Sequence, residues 1–86
     1  MQLQHESVSV WTKDAVPNQL LWRGIRYTVT DTPTGLYDYI SEAPTHPLKP
    51  RIGWRFQGTS EHGEETRVFD VRQTGRQEWA LVAVYD

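Results

Sequence analysis

Cysteine is absent from this chain, and methionine occurs once. The first absence excludes disulfides, thiolate zinc sites, iron–sulfur clusters and a cysteine nucleophile together. An excess of positive charge is also lacking. Nine Lys and Arg stand against eleven Asp and Glu, for a net charge of −2. That balance argues against a broad electrostatic grip on nucleic acid, while leaving room for a local basic patch. No long apolar run occurs: the longest, residues 79–85, is far too short to span a bilayer. The start, Met-Gln-Leu-Gln-His-Glu, has neither the basic nor the apolar region of a secretion signal, so the expected location is cytoplasmic.

What the chain does have is aromatics. They make up 12% of its 86 residues, with four Trp and four Tyr. Disordered segments are poor in aromatics, so the chain is expected to fold, as one domain over residues 1–86. Residues 6–12 alternate Val8 and Val10 with Ser7 and Ser9, a period of two that marks a strand. A polar connection over 13–18 follows, containing Pro17. Short β-type runs are expected at 19–22 and 26–32 around Gly24, then at 52–57, 66–72 and 78–85, with polar loops at 58–65 and around Gly75. Residues 36–40 read as either a short strand or one helical turn. Pro44, Pro47 and Pro50 forbid a helix over 41–51 and favour an extended surface loop. No internal repeat and no helical periodicity is present.

Two hairpins can be registered from the sequence. With Gly24-Ile25 as a two-residue turn, Trp22 faces Tyr27 and Leu20 faces Val29; an Arg23-Gly24 turn keeps the same four residues on one face. In the last hairpin, a three-residue loop with Gly75 in the left-handed conformation groups Phe69, Val71, Trp79 and Leu81. The strand at 78–85 is apolar on both faces, which suits a central position. Ile52, Trp54 and Phe56 share a face opposite Gly53, Arg55 and Gln57. The expected core is Trp22, Tyr27, Phe69, Trp79 and Leu81. Five or six short antiparallel strands with large inward aromatics predict an all-β fold. It is either a small antiparallel barrel of SH3-like size or a strongly curved sheet capped by residues 33–50.

Leu21-Trp22-Arg23-Gly24-Ile25-Arg26-Tyr27-Thr28-Val29 resembles the Trp-Arg-Gly-x-x-Tyr-x-Val signature of a small uncharacterised actinobacterial domain family. Gly53-Trp54-Arg55-Phe56 is similar to that family's middle strand. Glu78-Trp79-Ala80-Leu81 with Val84-Tyr85-Asp86 is similar to its Trp-x-Leu-x-x-x-Tyr-Asp ending, which also resembles the ending of polymerase-like proteins of the bacterial mutagenesis cassette. Residues 36–40 depart from the pattern, with Tyr37 and Tyr39 where a tryptophan is usual. The resemblance implies an intracellular bacterial domain with a link to DNA damage tolerance, and it carries no assigned activity.

Catalytic and metal chemistry find little support. His5, His46 and His62 are scattered without ligand spacing, so no metal site and no cofactor are expected. Ser7, Ser9, Ser41 and Ser60 lie outside any nucleophile elbow. Ser60-Glu61-His62 places triad-type residues side by side, but triad members meet in space rather than in sequence. Among the carboxylates Asp38, Glu42, Asp70, Glu61, Glu64 and Glu65, Asp70 is expected on an exposed face near Arg72 or Arg67, and the Glu run in solvent. Seven of the nine basic residues are Arg. Arg23 and Arg26 near the first hairpin tip, with Arg55 on the outer side of the middle strand, form the candidate binding surface, bordered by His46 and Lys49. Arginine makes two-pronged hydrogen bonds to carboxylate or phosphate. The expected function is therefore a non-catalytic intracellular binding module for a protein partner. The alternatives are weak binding of single-stranded nucleic acid and a small hydrolase using Ser60, His62 or Asp70.

Overall fold

The computed structural model describes residues 2–37 and 51–85, and within them the chain is all-β with no helix. Seven strands form in order: β1 (Gln2–Lys13), β2 (Val16–Trp22), β3 (Ile25–Val29), β4 (Thr34–Tyr37), β5 (Arg51–Ser60), β6 (Thr66–Gln73) and β7 (Trp79–Tyr85). All pairings are antiparallel, and the sheet runs β3-β2-β1-β7-β6-β5-β4. A further ladder, Tyr27↔Ser60 to Val29↔Gly58, joins β3 to β5. That ladder closes six strands into a small barrel with β4 as an extra strand, which decides against the curved open sheet. The expected prolyl loop lies outside the described residues apart from its last residue, Arg51, which begins β5. His46, Lys49, Ser41, Asp38 and Glu42 lie outside them as well.

The turns explain how the chain closes so quickly. β1 and β2 are joined by Asp14-Ala15, with φ of 53° and 66°. Two positive φ values give the turn twist that matches paired strands. The expected polar connection over 13–18 is thus a tight hairpin, with Pro17 inside β2. Pro17 pairs with Thr12 on one edge, and the ladder to β3 begins only at Gln19, so its missing N–H breaks no bond on that side. The second hairpin turns at Arg23-Gly24, with φ of 52° and 79°, and places Trp22 opposite Ile25 and Leu20 opposite Tyr27. The turn is one residue earlier than Gly24-Ile25, but parity is unchanged and the inward face is as expected.

β3 ends at Val29 rather than at residue 32 because Asp31 intervenes. Thr30 N–H donates to the Gln57 carbonyl at 2.8 Å, and Gln57 N–H donates to the Asp31 carboxylate at 2.8 Å. The chain then resumes pairing with β5 as β4, from Thr34↔Arg55. The stretch at 36–40 resolves as strand through Tyr37; its remainder lies outside the described residues. β5 runs three residues past the expected 57, because Gly58 pairs with both Val29 and Arg67. A Cβ on Gly58 would stand 3.1 Å from both the Phe69 ring and Tyr27 Cβ, so the missing side chain lets β3, β5 and β6 converge.

The core holds Leu20, Trp22, Tyr27, Phe56, Phe69, Val71, Trp79, Leu81 and Val84, with Val8, Val10, Val29 and Trp54 packed against it. All five expected core residues are there. Phe69 is the hub: its ring lies 4.9 Å from Tyr27, 5.8 Å from Trp22 and 5.9 Å from Phe56. The last hairpin differs from expectation in its loop. Gln73 pairs with Trp79, leaving five residues, 74–78, and Gly75 is not left-handed. Thr74 and Gly75 instead donate to the Glu78 carbonyl. β7 is central, between β1 and β6, and it carries a bulge: Val71 faces Leu81, whereas Asp70 faces Ala83. The extra residue, Val82, turns Val84 into the core and sends Tyr85 outward.

Candidate functional site

The three arginines singled out from the sequence do not form one cluster. Each finds its own partner. Arg23 sits in the β2–β3 turn, where its guanidinium lies 4.8 Å from the Trp22 ring and donates to Glu6 at 3.0 Å. That hydrogen bond is the main cause of the lowered pKa of the Glu6 carboxyl. Arg26 lies across the outer face of β3. Its guanidinium stacks 4.7 Å from the Trp11 ring and reaches the Gln19 side chain at 3.4 Å.

Arg55 is held more firmly. Its Nε and Nη2 donate to the two oxygens of Asp70 at 2.7 and 2.9 Å. The Tyr85 hydroxyl donates to Asp70 at 2.8 Å and accepts from Arg55 at 2.9 Å. Asp70, expected on an exposed face beside Arg72 or Arg67, is 5% exposed and belongs to this network instead. The reason is the β5–β6–β7 register: Asp70 stands between Arg55 and Ala83, and the bulge brings Tyr85 over it. The hydrogen bonds to Asp70 are the leading cause of the raised pKa of both Arg55 and Tyr85. A carboxylate so surrounded is a structural ion pair at the seam of three strands.

The residues considered for hydrolysis are also engaged. Ser60 is buried, and its Oγ accepts the backbone N–H groups of Glu64 and Glu65, both at 3.1 Å. That geometry folds the β5–β6 loop. His62 is exposed and faces its neighbour Glu61 at 3.7 Å. Glu65 leaves the expected solvated run, accepting the Tyr27 hydroxyl at 2.8 Å and Arg67 at 3.4 Å. Burial, then Glu65, raises the Tyr27 pKa, and the Tyr27 hydrogen bond is the main cause of the lowered pKa of Glu65. Among the described residues no three His, Asp or Glu side chains gather as a metal site, and no helix is long and apolar enough to cross a membrane.

Trp11 was not among the residues chosen from the sequence. It is 40% exposed, and among the described residues it and Ile25 are the exposed large hydrophobics. Parity offered the signal: with Val8 and Val10 inward, Trp11 falls on the outward face of Ser7 and Ser9. An open groove of about 580 Å³ runs beside it, between residues 9–12 of β1 and the β6–β7 loop, with Trp79 at its base. A second groove of about 460 Å³ adjoins it over Ala15, Trp54 and the same Trp79, so the two share one end of the barrel. Compared with known proteins, the chain matches no family model, no curated protein and no solved structure.

Proposed function

We propose that this barrel is a non-catalytic, intracellular binding module for a protein partner, and that it engages the partner through the outer face of β1–β3 around Trp11 and Arg26, with Arg23 at the neighbouring hairpin tip. The observation that carries this reading is the exposed Trp11 ring under the Arg26 guanidinium, 4.7 Å from it. Tryptophan and arginine are the residue types most enriched where protein interfaces concentrate their energy. Their stacking keeps the arginine fork extended and ready for an acidic partner surface at a small entropic cost. Arg55, expected on the same surface as Arg23 and Arg26, instead holds Asp70 at the β5–β7 seam. The engagement of Ser60 Oγ with two backbone amides supports a binding role over hydrolysis.

An affinity capture from the source cell separates the readings. Trp11→Ser and Arg26→Glu should each abolish recovery of a discrete protein that the parent recovers, while Arg72→Glu, an exposed control, should not. Melting curves matching the parent would establish that the variants are folded. Single-stranded DNA bound at low salt and released steeply as salt rises would make nucleic acid the partner instead.

A further inference from the structure

β1 is divided between two neighbours. Its first part pairs with β7, as far as Val8↔Trp79. Its last five residues, 9–13, pair only with β2. Because β7 begins at Trp79, the β7-side edge of residues 9–13 runs on alone, and no backbone group among the described residues hydrogen-bonds to it. Five residues of strand offer roughly 16 Å of open edge. Exposed edges of this kind are templates for another strand. On the other side of β1, beyond the end of β2, the Arg23–Glu6 ion pair lies across the strands. The edge at 9–13 instead opens onto the groove of about 580 Å³, with Val10 and Trp79 as apolar ground and Gln73, Arg76 and Gln77 as the far wall.

We propose that this edge takes up an extended acidic segment of the protein partner as an added antiparallel strand, with Arg76 reading a carboxylate on it. The proposal rests on the protein-binding reading and gives it a mode. Backbone hydrogen bonds to residues 9–13 supply the affinity, and alternate side chains of the guest reach Trp79 and Arg76 in turn. The chemistry of the guest follows from charge. Among the described residues Arg76 is the one charged residue lining the groove, Lys13 ends the edge, and Arg26 stands over the adjoining Trp11. The shape of the groove also selects: its far wall is the β6–β7 loop, so the guest is a single extended chain, not the edge of a second barrel.

The test uses the isotopically labelled 86-residue protein and two capped pentapeptides, one alternating Val and Glu and the other Val and Lys. Nuclear magnetic resonance reads backbone shifts and amide exchange. The Glu peptide should move and protect amides within 9–13 and move the Trp79 indole signal, with the Lys peptide at least roughly tenfold weaker. Arg76→Glu, a change in an exposed loop, should reverse the order of the two peptides. No response in 9–13 at millimolar peptide would overturn the inference, as would equal binding of both peptides. Protection of these amides in the free protein, accompanied by a dimer in sedimentation, would also overturn it, because a second copy would then fill the edge. If Arg76→Glu leaves capture of the cellular partner at parental strength while Trp11→Ser abolishes it, the edge mode fails and the protein-binding reading stands.

Discussion

Replacing Arg55 with Met tests whether that arginine belongs to the fold or to a binding surface. The substitution keeps much of the side-chain length and removes the charge. It leaves Asp70, 5% exposed, with the Tyr85 hydroxyl as its remaining partner in the network. Breaking a fully buried ion pair from one side costs about 3–5 kcal/mol. Here the Arg55 side chain is 48% exposed, so water can reach the vacated oxygens and the cost falls to about 2–3 kcal/mol. A domain of this length has a total stability of about 4–13 kcal/mol, and each kilocalorie moves the melting temperature by about 4–8 °C. Arg55→Met should therefore melt about 10–20 °C below the parent. In the double variant Arg55→Met, Asp70→Leu, the unpaired carboxylate is gone, and much of the loss should be recovered. Urea denaturation followed by tryptophan fluorescence gives all four corners of the cycle. A single-variant loss below about 0.5 kcal/mol with additive corners would mean that Asp70 is solvated and Arg55 free, contrary to the geometry.

Further expectations concern the core, one turn and two hydroxyls. Phe69→Ala removes the ring that touches Trp22, Tyr27 and Phe56, and should cost about 3–5 kcal/mol in urea denaturation; a loss under about 1.5 would place Phe69 outside the core. Ala15→Gly should stabilise by about 0.5–1 kcal/mol in the same assay, because Ala15 holds a φ of 66° that favours glycine; destabilisation would mean the turn is not of this type. Glu6 and Glu65 are held below their ordinary value of 4.5 in the fold. The unfolded chain therefore takes up protons first, and stability declines as pH falls from about 4.5. Tyr27 and Tyr85 are held above their ordinary value of 10.0. There the unfolded chain releases protons first, and stability declines as pH rises from about 10. Tyr27→Phe should cost about 1 kcal/mol at neutral pH and shrink both declines, leaving the shares of Glu6 and Tyr85 and the part of the Glu65 share that Arg67 holds; unchanged pH slopes would refute the Tyr27–Glu65 bond.

The inward face was legible because period-two alternation is insensitive to where a two-residue turn is placed. Leu20, Trp22 and Tyr27 stay together whether the turn is Arg23-Gly24 or Gly24-Ile25. Features set by a single residue against that period were not legible. Val82 forms a bulge, and nothing in the run 79–85 marks which of its apolar residues is the extra one. That bulge decides that Val84 enters the core and Tyr85 leaves it, and so that Asp70 gains a second partner. The Arg55–Asp70–Tyr85 network joins residues 15 and 30 positions apart, a convergence that only the sheet register brings about. The Asp14-Ala15 turn escaped notice because alanine rarely accepts a positive φ. Trp11 was within reach, since its parity with Ser7 and Ser9 already placed it outside. Of the three candidate arginines, the sequence could show that all would face outward. It could not show that Arg55 would meet a buried carboxylate while Arg26 met an exposed ring.

Photo-crosslinking from the outward face beside Trp11 decides whether the barrel meets a protein there. A benzophenone amino acid replaces Ser9, exposed two residues away on the same face, in the 86-residue chain expressed in its source cell, with the same group at Arg72 as the control. One light-dependent protein adduct from position 9, absent from position 72 and lost when Arg26→Glu is combined with the label, is the expected result. The same adducts from both positions, or adducts to nucleic acid alone, would overturn the protein-binding reading.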